Sequence, residues 1–197
     1  MADENRWIDV LQTVGAIHEG HFLLSSGRHS ERYVQCARAL EYPETAALLG
    51  QAIAETISVP VDRVMAPPLG GLLIGYEVAR HLKVPFSFPE RGRDGTFVLR
   101  RGFTLRPGER ICVIEDVITT GKTTVELLDV LRVLGALPVA VGCIVERSDT
   151  HHLAELPIIS LLQLAIPTFA ADACPLCKDG LALRQPGSRD MAAQASS

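Results

Sequence analysis

The stretch VIEDVITTGKTT, residues 113–124, decides how the rest of the chain is read. Its Gly121, Lys122 and Thr123 match the close of a nucleotide-binding P-loop, G-x-x-x-x-G-K-[ST]. The first glycine of such a loop belongs at position 116, where this chain has Asp116. Parsed differently, the segment is an apolar strand, an acidic pair (Glu115 and Asp116), a hydroxyl-rich turn and the start of a helix. The free N–H groups and positive dipole end of that helix converge on one anion, with the hydroxyls of Thr120, Thr123 and Thr124 as further donors. Gly121 permits a backbone conformation and a close approach that a side chain would obstruct. Two adjacent carboxylates repel a second phosphate, yet they suit ribose hydroxyls or positive charge developing on a sugar ring. A phosphorylated ribose satisfies both halves. The plainer alternative is an ordinary strand-to-helix turn with solvated acids.

Working outward, RICVI (110–114) is followed by a helix whose Leu127, Leu131 and Leu134 fall at i, i+4 and i+7; Gly135 and Pro138 stop it before the strand VAVGCIV (139–145). Upstream, VDRVMA (61–66), the break PPLGG, the helically spaced LLIGYEVARHL (72–82) and VPFSF form another βαβ unit. Two such units in series predict an α/β fold with a doubly wound, mostly parallel sheet. PETAALLGQAIAETI (43–57) reads as an amphipathic helix with Pro43 in its first turn, covering one sheet face. Residues 20–38 read as short strands and a polar turn, a hood over the sheet. Residues 89–109, rich in Gly and Arg with an alternating segment, predict a mobile hairpin. We expect one domain over 1–189, its hood formed mainly by 1–40, and a disordered tail over 190–197.

The composition agrees. A chain of 197 residues with 47% hydrophobic content can bury roughly 70% of its unfolded surface, enough for one core. A net charge of -4 offers no basic field for a nucleic-acid backbone, which leaves a small molecule as the expected partner. The N-terminal MADENRWIDV lacks the basic start and apolar run of a secretory signal. The apolar segment LPIISLLQLAIPTFAA is too short to span a membrane and is interrupted by Pro157, Ser160, Gln163 and Pro167. With five cysteines, and Cys112 and Cys143 set in apolar strands, a reducing cytoplasm fits. Cys174 and Cys177, in CPLC, have metal-ligand spacing without a second such pair. His151 and His152 complete a set only by folding back, so the expectation is a surface cysteine pair and solvated histidines.

The segment VIEDVITTGKTT closely resembles the phosphoribosyl-pyrophosphate signature of type I phosphoribosyltransferases. The likeness extends over nearly the whole chain to orotate phosphoribosyltransferases. GHFLLSSGRHSERYVQCA resembles that family's orotate-side segment, APPLGGLLIGYEVAR its pyrophosphate-side loop and helix, and IVERSD the strand end bearing its base-binding arginine. The resemblance implies that orotate displaces pyrophosphate from the ribose carbon with Mg2+ required, bound mainly through substrate rather than by side chains. It implies a homodimer. Carried over, Glu115 and Asp116 face the ribose hydroxyls, residues 120–124 (Thr120, Gly121, Lys122, Thr123, Thr124) bind the 5′-phosphate, and Thr119 and Arg147 contact orotate, with Val117 and Ile118 between. A guanidinium fork pairs with a carboxylate in two parallel hydrogen bonds, and a carboxylate is what separates orotate from uracil. A surface ion pair of Arg147 with Glu146 or Asp149 is the alternative.

The chain departs from the pattern at three places. Many family members supply lysines and a histidine from the mobile loop, often across a dimer interface; PERGRDGTF has neither, and Arg91, in a catalytic role, and Arg93 are the candidate replacements. Ser25 stands where a lysine is often found on the orotate side, and Gly70 where one is often found at the pyrophosphate loop. These losses leave open a transferase for another base, such as a purine. A regulator that senses phosphoribosyl pyrophosphate without catalysis is a reading from another class, disfavoured by the acidic charge balance.

Overall fold

A computed structural model describes residues 2–24, 26–148 and 150–186; Ser25, Asp149 and the expected tail lie outside them. In chain order the elements are α1 (Ala2–Thr13), β1 (Ile17–Leu23), β2 (His29–Val34), α2 (Ala37–Leu40), α3 (Pro43–Thr56), β3 (Arg63–Met65), α4 (Gly71–Leu82), β4 (Phe86–Ser87), β5 (Glu90–Arg91) and β6 (Phe97–Val98). They continue with β7 (Arg110–Ile118), α5 (Lys122–Val133), β8 (Leu137–Glu146), β9 (His152–Leu153), β10 (Leu156–Gln163), β11 (Thr168–Phe169), a single 3-10 turn (Ala171–Ala173), α6 (Pro175–Lys178) and β12 (Leu183–Arg184).

The main sheet has six strands in the order β4-β3-β7-β8-β10-β9, parallel except for β9 at the edge. β7 lies inside it and its residues alternate between faces. Cys112 and Ile114 point to the side covered by α1, α3 and α4, where Leu11, Leu49, Ile53, Ile74 and Val78 pack. Ile111 and Val113 point to the side covered by α5, against Leu127, Leu128 and Leu131. A strand buried on both faces needs the near-continuous apolar run that RICVI supplies. The crossovers run through α4 and α5, as the two βαβ units require.

The structure differs from the sequence reading at several elements. Pro138 lies within β8 rather than before it, opposite Ile111 and next to a register irregularity between Ile111 and Cys112, the kind of position a strand proline takes. Leu134 caps α5 and is exposed, while Leu128 takes the third buried leucine position. The N-terminal segment, for which the sequence reading proposed no element, is a helix that buries Trp7 and Leu11 at i and i+4. The apolar segment around residue 160 is the parallel strand β10.

The hood is a second sheet, in the order β11-β2-β1-β12. Its middle strands are the expected antiparallel pair, β1 and β2. The outer strands come from the other end of the chain: β11 pairs with β2, and β12 runs parallel to β1 with His21 opposite Leu183. The hairpin is present as β5 paired with β6 around residues 92–96.

Candidate active site

β7 ends at Ile118 and α5 begins at Lys122, so the chain turns sharply at the carboxyl edge of the sheet, where open α/β sheets bind ligands. Gly121 caps α5 with a left-handed φ of 66°. A Cβ there would also crowd the Leu153 side chain, so the backbone favours glycine and the packing agrees. The turn encloses a hollow of about 90 Å3 lined by Glu115 and residues 117–124. At roughly 30 Å3 per water that is about three waters, room enough for one phosphate group. Thr124 is buried, while Thr119, Thr120, Lys122 and Thr123 are exposed at the rim. The sequence thus brings nine of its expected site residues to one place.

Asp116 lies against the loop that precedes α4. A Cβ at Gly70 would come within 2.5 Å of Asp116 Oδ1, so a side chain there would have to displace the Asp116 carboxylate. Asp116 accepts a hydrogen bond from the Val117 N–H at 2.8 Å, and Glu115 accepts one from the Asp116 N–H at 3.2 Å. Burial and the neighbouring Asp116 charge push the Glu115 carboxyl up to about 8. Burial likewise raises that of Asp116. Two half-buried acids, each held above its ordinary range, are relieved by hydroxyl donors or by positive charge beside them.

Arg147 follows β8, and its N–H donates to the Ile118 carbonyl at 2.7 Å, which fixes it beside the turn. Its side-chain Nε is buried and has no acceptor among the described residues. The expected alternative partner, Glu146, is fully buried and otherwise engaged, accepting from Ser148, Ser160, Gln163 and His151. Sequence reasoning missed Tyr33, which β2 of the hood brings to the same place. Burial and the Asp116 charge raise the Tyr33 phenol, and the Arg147 charge partly offsets them. The alternation of SERYV was the available signal. Tyr33 also lines a wider hollow of about 640 Å3 with His18, Phe22, Gln35, Arg38 and Leu183.

Arg91 does not line the turn. Its guanidinium sits 3.7 Å from the centre of the Phe97 ring, donates to the Gly95 carbonyl at 2.7 Å and pairs with Glu126 on α5. Arg93, in the hairpin turn, is exposed. His151 and His152 do not join Cys174 and Cys177: His151 bonds Glu146, and His152 bonds the Thr150 carbonyl.

Among solved structures, an orotate phosphoribosyltransferase from Aeropyrum pernix superposes with a TM-score of 0.69 at 25% identity, over 79% of this chain and 92% of that one. An adenine phosphoribosyltransferase from Trypanosoma brucei superposes with a TM-score of 0.60 at 19% identity, over 83% and 80% of the two chains. The fold is that of the type I phosphoribosyltransferases. No protein-family model matches the chain. An orotate phosphoribosyltransferase of Thermotoga petrophila is 45% identical over 184 residues, 93% of this chain and 98% of that protein. One of Caldanaerobacter subterraneus is 40% identical over 190 residues, 96% and 100% of the two chains. The chain belongs to the orotate phosphoribosyltransferase family.

Proposed function

We propose that this enzyme transfers the 5-phosphoribosyl group of phosphoribosyl pyrophosphate to orotate, giving orotidine 5′-monophosphate and pyrophosphate in pyrimidine nucleotide synthesis, with the residues around β7 and Arg147 in named roles. The 5′-phosphate sits in the turn of residues 119–124 on the N–H groups of α5. Glu115 and Asp116 accept hydrogen bonds from the ribose hydroxyls. A ring nitrogen of orotate forms its bond to the anomeric carbon as the carbon–oxygen bond to pyrophosphate breaks, and the electron pair leaves with pyrophosphate. Positive character on the sugar is greatest midway, when an adjacent carboxylate pair is worth most. The pair also fits a divalent cation beside the substrate, because hard oxygen donors that repel one another are relieved by Mg2+. When bound, mainly through substrate oxygens, Mg2+ supplies charge neutralisation at the leaving pyrophosphate.

The observation that carries the base assignment is the buried Arg147 Nε with no acceptor in the protein. A buried guanidinium donor left unpaired is costly, and the orotate carboxylate, accepting from two guanidinium nitrogens, would satisfy it. Tyr33 then lies beside the pyrimidine. In an assay following the loss of orotate absorbance, Arg147→Ala should raise KM for orotate on the order of 10–100-fold while leaving KM for phosphoribosyl pyrophosphate within a factor of two or so. Equal use of uracil by the parent enzyme would overturn the assignment.

We also read the enzyme as a cytoplasmic homodimer. Cys36, Cys112 and Cys143 are buried as small apolar groups, which suits a reducing compartment. No described helix is long and apolar enough to cross a membrane. Leu73 and Tyr76, exposed on α4, and Leu69, exposed in the loop before it, give apolar surface that suits a subunit contact.

A further inference from the structure

Cys174 and Cys177 meet histidines that lie far away in sequence. β1 brings His21, β2 brings His29, and the short helix α6 starts immediately after Cys174. One ligand atom from each of the four residues lies within 4.8 Å of every other. Cys174 Sγ is 3.6 Å from His21 Nε2, and Cys177 Sγ is 3.7 Å from His21 Nε2 and 3.3 Å from His29 Nδ1. A tetrahedron with metal bonds of about 2.0 Å to nitrogen and 2.3 Å to sulfur has edges of roughly 3.3–3.8 Å. The three sulfur-to-nitrogen separations fall in that range. The histidine edge, His21 Nε2 to His29 Nδ1, is 2.8 Å, the length of a hydrogen bond between the rings. An ion would replace that bond and part the rings by roughly half an ångström.

The surroundings are those of a structural metal site. His21, His29 and Cys174 are buried, and Cys177 closes the cluster at the surface. The other nitrogen of His21, Nδ1, lies 2.9 Å from the Leu181 carbonyl. Donation from Nδ1–H to that carbonyl leaves the Nε2 lone pair directed at the cluster, the support that metal-bound histidines ordinarily have. After Cys177 the chain reverses at Gly180, whose N–H donates to the Cys177 carbonyl, so the CPLC turn wraps one side of the cluster. None of the four residues lines the phosphate turn.

We infer that His21, His29, Cys174 and Cys177 bind one zinc ion that fastens the C-terminal segment to the hood. The donor set argues for zinc: two thiolates and two neutral imidazoles in a closed tetrahedral arrangement, with no position left for a reacting water. Binding Zn2+ displaces the two thiol protons to solvent, and the two thiolates balance the dication, so the buried complex carries no net charge. The ion joins β1 and β2 to the segment between β11 and β12. β12, into which that segment leads, supplies Leu183 and Arg184 to the wall of the hollow beside Tyr33. Zinc therefore positions the hood without touching the reacting groups.

The test uses the full chain, free of any metal-binding tag and purified from zinc-supplied culture. We expect about one zinc per chain in the parent protein, as closed four-ligand sites hold. Replacement by cobalt(II) should give thiolate-to-metal charge transfer in the near ultraviolet and the intense visible bands of tetrahedral coordination. Cys177→Ser and His29→Ala should each weaken zinc binding by more than the about 10–100-fold that loss of an outer-shell partner costs. His152→Ala, outside the cluster, should keep the full complement. Parent protein that holds no zinc and gives no cobalt charge-transfer band overturns the inference. So does an intact mass short by two hydrogens, which marks a Cys174–Cys177 disulfide. If the variants fail to fold, the parent's metal content and cobalt spectrum still decide the matter.

Discussion

Glu115 is a carboxylate that the fold holds against its own charge. Its folded value of about 8 exceeds the ordinary 4.5, chiefly because it is buried and also because Asp116 is adjacent. Below about pH 4.5 the group is protonated whether folded or unfolded, and it costs nothing. Between the two values the unfolded chain has released the proton while the folded one retains it, so stability falls as pH rises through that window and levels off above it. The slope from this one group is at most about 1.4 kcal/mol per pH unit, and less where Asp116 shares the proton. Glu115→Gln should therefore raise the melting temperature of the ligand-free enzyme near pH 8, flatten its dependence between pH 5 and 8, and still lower kcat. Melting curves with an unchanged pH slope would remove Glu115 as the strained group. The location of this acid pair was legible in the sequence because one glycine and two carboxylates occupy fixed places in a strand-to-helix turn. The strain was not, because it comes chiefly from burial, and burial is set by tertiary packing that includes the Gly70–Gly71 backbone, more than forty residues upstream.

At the scale of elements, the hairpin bears on the role of Arg91. Its β5–β6 pairing is there, and Arg91 rests on Phe97 and Glu126. The Arg91–Glu126 pair is partly exposed and worth at most about 1 kcal/mol, and the ring contact adds about 0.5–1 kcal/mol. An incoming pyrophosphate, offering several charged oxygens, can outcompete an attachment of that size. Arg91→Ala should then weaken pyrophosphate inhibition and raise KM for phosphoribosyl pyrophosphate on the order of tenfold, with kcat reduced. Glu126→Ala, which frees the arginine, should not. Unchanged turnover and unchanged pyrophosphate affinity in Arg91→Ala would end its catalytic assignment and leave it an anchor of the hairpin. The hairpin and the βαβ units were readable because their patterns are local: periodicity, glycine breaks, a proline at a helix start. The hood was readable only in half. β1 and β2 have alternation of their own, whereas β11 and β12 are two-residue strands that exist because the C-terminal segment docks on the hood. Docking of that kind leaves no periodic trace, and the histidines that face Cys174 and Cys177 are separated from them by some 150 residues.

Across the whole molecule, the two faces of the main sheet are closed by helices, but α4 is covered on one side only. Ile74 and Val78 enter the core, while Leu73 (57% exposed) and Tyr76 (58%) face away from it and Leu69 (83%) stands in the loop before the helix. Scattered apolar residues on a surface need no explanation; two at i and i+3 on one helix, with a third in the loop that leads into it, offer a contact surface. A second copy of the chain, packing α4 against its own α4 by a twofold axis, would bury that surface on both subunits at once. The proposal commits to a measurable outcome. Light scattering should give a dimer for the parent protein, and the double substitution Leu73→Asp with Tyr76→Asp should give a monomer, because forcing carboxylates into an apolar contact costs several kcal/mol per ion. At about 1.4 kcal/mol per decade, that weakens association by more than about a thousandfold. Both side chains are exposed in the single chain, so the monomer's circular dichroism should be unchanged and its fold stability altered by only about 0.5 kcal/mol. Whether the monomer turns over then separates two architectures: a hairpin that acts within its own subunit leaves activity in place, and one that reaches its neighbour loses it with the dimer. A parent protein that is monomeric at micromolar concentration, or a double variant that stays dimeric, would rule out this helix as the contact.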